Sequence, residues 1–233
     1  MLRKIDSADL GTSDLGWLRS RFHFSFAQYY DPDNIKFGVL RVVNDDLVQP
    51  GTGFDTHPHR DMEIVSYVVD GELTHADSMG NTHTLTRGQV QYMSAGTGVT
   101  HSEHNRGRDT LRFLQIWILP DAHGHAPDYG DYRFAWETRE NQWLAMVSGP
   151  DGGAPITIHQ DAAISAVELD EGREIAFAVG PERQAYLVQI EGASAVNGVD
   201  LTARDAVEIV GEDVTIRALA ISHILVIEMR RPD

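Results

Sequence analysis

The sequence predicts an all-β chain built from two tandem β-domains. Apolar residues alternate with polar ones at period 2 in short runs, and no stretch of a dozen residues holds the 3.6-residue period of an amphipathic helix. Turn dipeptides punctuate the runs: Asp70-Gly71, Gly80-Asn81, Glu171-Gly172, Glu191-Gly192 and Asn197-Gly198 each carry a residue tolerant of the positive φ that tight hairpins require. Short strands at even spacing point to a sandwich or barrel.

The runs follow in order. Residues 22–30 open the series, with Phe22, Phe24 and Phe26 alternating ahead of Gln28. Residues 36–43, 63–69, 89–93 and 111–119 follow, rich in the branched and aromatic side chains that suit a half-buried pleated surface. In the second half come residues 156–158, 185–190, 206–210 and 221–229. Between the halves, residues 120–130 hold two His, two Pro and two Gly, and Gly149-Pro150-Asp151-Gly152-Gly153-Ala154-Pro155 is a loop. The expected division is therefore residues 1–135 and 136–233.

Composition excludes several functions. Among 233 residues, 19 Lys+Arg against 35 Asp+Glu leave a formal charge of -16, which repels a phosphate backbone, so direct nucleic-acid binding is not expected. With no cysteine there is no disulfide, thiolate metal site or thiol nucleophile, so any metal must be held by nitrogen and oxygen. Met1-Leu2-Arg3-Lys4-Ile5-Asp6 has no apolar signal region and no window approaches the ~18 apolar residues of a membrane span, so a cytoplasmic protein without membrane contact is expected.

Eight of the eleven histidines fall between His57 and His125. Two pairs stand out, His57-Pro58-His59 and His101-Ser102-Glu103, each preceded by glycines. An i, i+2 pair on a strand places both side chains on one face, roughly 6.5 to 7 Å apart along the chain. Two such strands deliver His57, His59, His101 and Glu103 to one point, and three imidazoles with one carboxylate suit Fe(II), Mn(II), Ni(II), Cu(II) or Zn(II). Two other readings compete: hydrogen-bonded surface histidines, and an H-x-H-x-D metallohydrolase motif in His57 to Asp61, where Met62 stands in place of the next histidine and the expected helices are missing.

The stretch from Gly51 to Asn105 resembles the paired metal motifs of a cupin, and more narrowly those of the pirin family with its bacterial quercetinases. Matching text includes Phe24-Ser25-Phe26-Ala27-Gln28-Tyr29-Tyr30-Asp31-Pro32, Asn44-Asp45-Asp46, Asp61-Met62-Glu63-Ile64, Gln91-Tyr92-Met93-Ser94-Ala95-Gly96-Thr97-Gly98 and Gln115-Ile116-Trp117. The resemblance implies two tandem cupin domains of the double-stranded β-helix or jelly-roll type. It places the metal ligands on His57, His59, His101 and Glu103, with Fe(II) the favoured ion. Glu63, where cupins at large carry a ligand, is expected beside the ligands or satisfied in the core. The second half aligns Ala178 and Gly180 with His57 and His59, so its domain is expected to be degenerate, walling the site. His223 is expected to be a packed strand residue. His104, His123 and His125 are expected in solvated loops, and the four tryptophans chiefly in the core.

The activity implied is that of a quercetinase, a metal-dependent dioxygenase that opens a flavonol ring with O2 and releases CO, with Glu103 taking the proton of the 3-hydroxyl. The expected partners are a small aromatic or enolic substrate and O2. A redox-sensitive regulatory module that binds a protein partner is the alternative. A bicupin covers its own interface, so a monomer is expected.

Overall fold

The computed structural model describes residues 1–232. In chain order its strands are β1 (Leu2–Ile5), β2 (Gly11–Asp14), β3 (Leu18–Phe22), β4 (Leu40–Val48), β5 (Gly53–His59), β6 (Glu63–Asp70), β7 (Leu73–Asp77), β8 (Thr82–Leu85), β9 (Val90–Ser94), β10 (Val99–His104), β11 (Leu111–Ile118) and β12 (Asp128–Tyr132). The series continues with β13 (Leu144–Ser148), β14 (Ile156–Thr157), β15 (Ala162–Leu169), β16 (Glu174–Phe177), β17 (Arg183–Glu191), β18 (Ala193–Val196), β19 (Val199–Thr202), β20 (Ala206–Val210), β21 (Val214–Ala218) and β22 (Ser222–Arg230). Among the described residues the one helical element is a 3-10 turn, Trp136–Arg139, and no helix is long and apolar enough to cross a membrane.

The fold is all-β, and it forms two compact units. The N-terminal unit comprises residues 11–134 and 158–160; the C-terminal unit comprises residues 1–10, 135–157 and those from 161 onward. The units are thus not continuous in sequence, as a division into 1–135 and 136–233 takes them to be. β1 pairs antiparallel with β20, which commits the first residues to the C-terminal unit.

In the N-terminal unit a seven-stranded sheet, in the order β12-β9-β6-β11-β4-β3-β2, accompanies a four-stranded sheet in the order β5-β10-β7-β8. The C-terminal unit repeats the plan, with β1-β20-β17-β22-β15-β13-β14 and β16-β21-β18-β19. The five turn dipeptides behave as expected: the glycine of each has positive φ, and at Asn197-Gly198 both residues do, at 46° and 84°, joining β18 to β19.

Three expected strands change. The run 22–30 is not a strand: β3 ends at Phe22, and Ala27 at φ 50° turns the chain into a short Phe26–Tyr29 bridge. Of its alternating aromatics, Phe22 is buried as the last residue of β3 and Phe24 is buried from the loop that follows. The run 36–43 starts too early and stops too soon, because β4 begins at Leu40 and continues through Asn44-Asp45-Asp46, all buried. Residues 156–158 divide, since Ile156 and Thr157 pair with β13 while Ile158 belongs to the N-terminal unit.

Candidate metal centre

β5 and β10 carry the two histidine pairs as neighbouring antiparallel strands, with His57 opposite His101. Between the pairings His101–His57 and Glu103–Phe54, β5 contains one residue more than β10, a bulge that bends the strand and re-aims its side chains. Gly53 admits this approach: a Cβ there would collide with the Glu103 carbonyl and the His104 backbone.

The result is a convergence of rings. His57 and His59 lie 4.8 Å apart between centroids, His57 and His101 4.6 Å, and His59 and His101 4.9 Å. One ligand nitrogen from each lies within 4.8 Å of the other two. Hydrogen bonds assign the tautomers. His57 Nδ1 donates to the Asp55 carbonyl at 2.7 Å, and His75, 3.5 Å from His101 Nδ1, bonds Asp77 Oδ2 through its own Nε2 at 3.0 Å. The lone pairs of His57 Nε2 and His101 Nε2 then face each other across 3.1 Å. Two lone pairs so placed repel unless a cation sits between them. Burial, with the neighbouring imidazoles, pushes His59 down to about 4 and His101 down to about 3, so both are neutral at pH 7, the state a metal requires. Nitrogen donors with a carboxylate nearby and no thiolate fit a divalent first-row ion.

Glu103 is placed differently from the three rings. It forms a second convergent set with His101 and His75, and it lines one cavity together with His57 and His59. Both its oxygens are engaged from the large sheet. Gln91 Nε2 donates to Oε1 at 2.6 Å and Gln115 Nε2 to Oε2 at 2.6 Å. The Ser66 hydroxyl lies 2.9 Å from Oε1 and 2.7 Å from Gln115 Oε1, donating to one at a time. These donors belong to a polar row: Asn44 on β4, Gln115 on β11, Ser66 on β6 and Gln91 on β9 occupy successive register positions across four strands. A carboxylate buried this deeply needs such partners.

The cavity over this row has a volume of about 220 Å³ and aromatic walls from Phe26, Phe54 and Trp117. Trp117 also meets His59 edge-on at 5.0 Å. So one of the tryptophans expected in the core borders the cavity, and Phe26 reaches it from a loop.

The remaining candidates lie elsewhere. Glu63 accepts from Ser94 Oγ at 2.6 Å and from the His159 backbone N–H at 3.1 Å, the core-satisfied alternative. His104 faces Asp55, His123 faces Asp61, and His125 stacks on His159 at 3.9 Å. His223 is buried in β22 against Trp136 and Glu191, as expected. Among the described residues both convergent sets fall in the N-terminal unit. The sequence reading gave no role to His75, Asp77, Ser66, Gln91, Gln115, Asn44 or Asp46. The signal is there for Ser66, Gln91 and Gln115, each a buried polar residue within a largely apolar strand.

Comparison with known proteins finds matches over both units. The Pirin family profile matches residues 5–118, and that of the quercetinase C-terminal cupin domain matches residues 145–229. A pirin-like protein of Caulobacter vibrioides is 44% identical over 221 residues, 94% of this chain and 95% of that one. The quercetin 2,3-dioxygenase of Escherichia coli (strain K12) is 38% identical over 231 residues, covering 98% and 97% of the two chains. The crystal structure of the bacterial pirin YhhW from Escherichia coli, in complex with nickel(II), superposes with a TM-score of 0.93 at 35% identity over the whole of both chains. With both of its β-units matched in this way, the chain belongs to the pirin family, as a bicupin.

Proposed function

We propose that this chain is a metal-dependent dioxygenase of quercetinase type, which opens a flavonol ring with O2 and releases CO. The observation that supports it best is the convergence of three imidazoles beside a carboxylate, with His57, His59 and Glu103 lining an aromatic-walled cavity. His57, His59, His101 and Glu103 would hold the metal, with Fe(II) favoured. When bound, the ion supplies a Lewis acid and a template that brings flavonol and O2 together. The chain's own residues do the rest. Phe26, Phe54 and Trp117 present flat apolar faces to the rings of the substrate and exclude water. Glu103 takes the proton of the 3-hydroxyl, without which the ring does not react with oxygen. Gln91 and Gln115 hold that carboxylate in one orientation, so no reorganisation is needed at the moment of transfer.

The test is anaerobic reconstitution with Fe(II), Mn(II), Ni(II), Cu(II) and Zn(II) separately, followed by O2 uptake and bleaching of quercetin. Turnover with a redox-active ion supports the reading. In Glu103→Gln, metal is retained in part and turnover falls by about 100-fold or more, the scale of a lost general base. Stoichiometric metal binding with no turnover by any ion overturns the enzyme in favour of a regulatory module.

A further inference from the structure

One wall of the cavity carries hydrogen-bonding atoms that nothing in the proposed chemistry uses. Asn44 Oδ1, Asp46 Oδ1 and Trp117 Nε1 are buried and have no hydrogen-bond partner among the described residues. All three side chains line the same cavity as His57, His59 and Glu103. Asn44 and Asp46 are each only 3% exposed, so bulk water does not serve them. They are i, i+2 on β4, which places both on the inward face, roughly 6.5 to 7 Å apart along the strand. Leaving buried polar atoms unpaired costs stability. A chain that needed this wall only for packing would place Val or Leu there, as β4 itself does at Val48, on the same face two residues beyond Asp46.

We infer that Asn44, Asp46 and Trp117 form an orienting subsite for a hydroxylated aromatic ring, two oxygens accepting from ring hydroxyls and the indole N–H donating to a hydroxyl oxygen. The inference rests on the reading of this cavity as the substrate pocket. Its volume of about 220 Å³ is below the roughly 300 Å³ at which pockets begin to enclose a whole drug-sized ligand, so it grips part of a flavonol or the whole of a smaller phenol. The ligand class is therefore a phenol, recognised by hydroxyl groups and not by charge.

The experiment compares phenol with its methyl ether, anisole, on the full chain loaded with Zn(II), by ligand-observed NMR titration. A single satisfied hydrogen bond predicts that phenol binds about fivefold or more tightly than anisole. The preference falls below about twofold in Asn44→Leu or Asp46→Leu, each of which removes one of the unpartnered oxygens and leaves the three histidines in place. Loss in either folded variant supports the subsite. Equal binding of the two probes by the parent chain overturns it, and so does a preference retained in both variants, which would assign discrimination to the metal. A phenol preference lost in these variants, with no flavonol cleaved by any ion, would sink the quercetinase reading and leave the subsite standing. Flavonol cleavage without a phenol preference would do the reverse.

Discussion

The two units use one strand plan for two interiors. In the small sheet of the N-terminal unit β10 turns Val99, His101 and Glu103 inward; in its C-terminal counterpart β21 turns Val214, Ile216 and Ala218 inward with the same alternation. The large sheets differ in the same sense. The row Val226, Leu187, Val207 crosses β22, β17 and β20 as part of one buried apolar cluster. In the N-terminal unit Ser66 stands on β6 between Ile64 and Val68, which belong to separate apolar clusters, and the polar row divides the two. A site of this kind interrupts the core that builds its frame, and the buried polar groups it adds depend on partners such as the donors around Glu103.

The largest effect should come from breaking the convergence itself. His59 is the ring whose removal is expected to leave β5, its bulge and the large sheet intact, because its ring contacts are with the rings of His57, His101 and Trp117. His59→Ala is expected to lose most bound metal and essentially all turnover, while far-UV circular dichroism stays that of the parent. Metal affinity should fall by more than the roughly 10–100-fold typical of losing a ligand's outer partner. Full metal content in the purified variant would remove His59 from the ligand set.

Next in size is a stability effect from the same wall. Burial raises the Asp46 carboxyl from 3.8 to about 7, against the hydrogen bond from Ser20, while Asp45 and Glu103 add to the rise. Below pH ~4 the carboxyl is protonated in the folded and unfolded chains alike, and Asp46 carries no penalty. Between pH ~4 and ~7 only the unfolded chain ionises, so stability falls as pH rises, and above ~7 the penalty is complete. Asp46→Asn removes it, with a ceiling of ~4 kcal/mol from a rise of about three units at 1.36 kcal/mol each. Thermal melts of metal-free protein should show the variant equal to the parent at pH 4 and more stable at pH 8. No difference at pH 8 would place the proton elsewhere.

How much of this was legible in sequence follows from which residues obey period 2. The strands of the large sheets are readable where the sequence is a largely apolar run bounded by turn residues, as in β6, β11, β17 and β22. β4 was cut short because Asn44-Asp45-Asp46 has the composition of a turn; burial of three consecutive polar residues is paid for by the site and by Arg112, whose guanidinium holds Asp45 at 2.7 Å. The histidine pairs were visible because i, i+2 spacing is local. His75 and Asn44 were not, because what matters about them is their cross-strand neighbours, and register over some 30 to 70 residues of separation is set by the whole sheet.

A smaller effect is expected at His75, where β7 carries a ring and its counterpart β18 carries Ser194 and Val196. His75 stacks on Tyr129 at 4.4 Å between centroids and links His101 to Asp77, both side chains of the His75–Asp77 pair being fully buried. His75→Phe keeps the stacking surface but takes the acceptor from His101 Nδ1 and the donor from Asp77. The ring of His101 is then free to present either nitrogen to the metal. Metal affinity by chelator competition should fall about 10–100-fold with the three ligands still present. Unchanged affinity would reduce His75 to packing.

The smallest effect lies in the unit without a convergent site, and it tests whether that unit acts on the metal at all. Gly198 has φ 84° in the turn between β18 and β19, and a Cβ there would meet nothing within 4 Å. Gly198→Ala is therefore penalised by backbone strain alone, about 1 kcal/mol once the loss of unfolded-chain freedom is set against it. In a chain of this length that corresponds to a fall in Tm of about 2–4 °C. Metal affinity should stay within about twofold of the parent, since the hydrogen-bond partners of this turn, Asp213 and Thr215, belong to the C-terminal unit, and sites that share no partner contribute independently. If affinity fell along with Tm, the apolar interior of the C-terminal unit would be holding the geometry of the histidines, and the division between a unit for chemistry and a unit for stability would have to be given up.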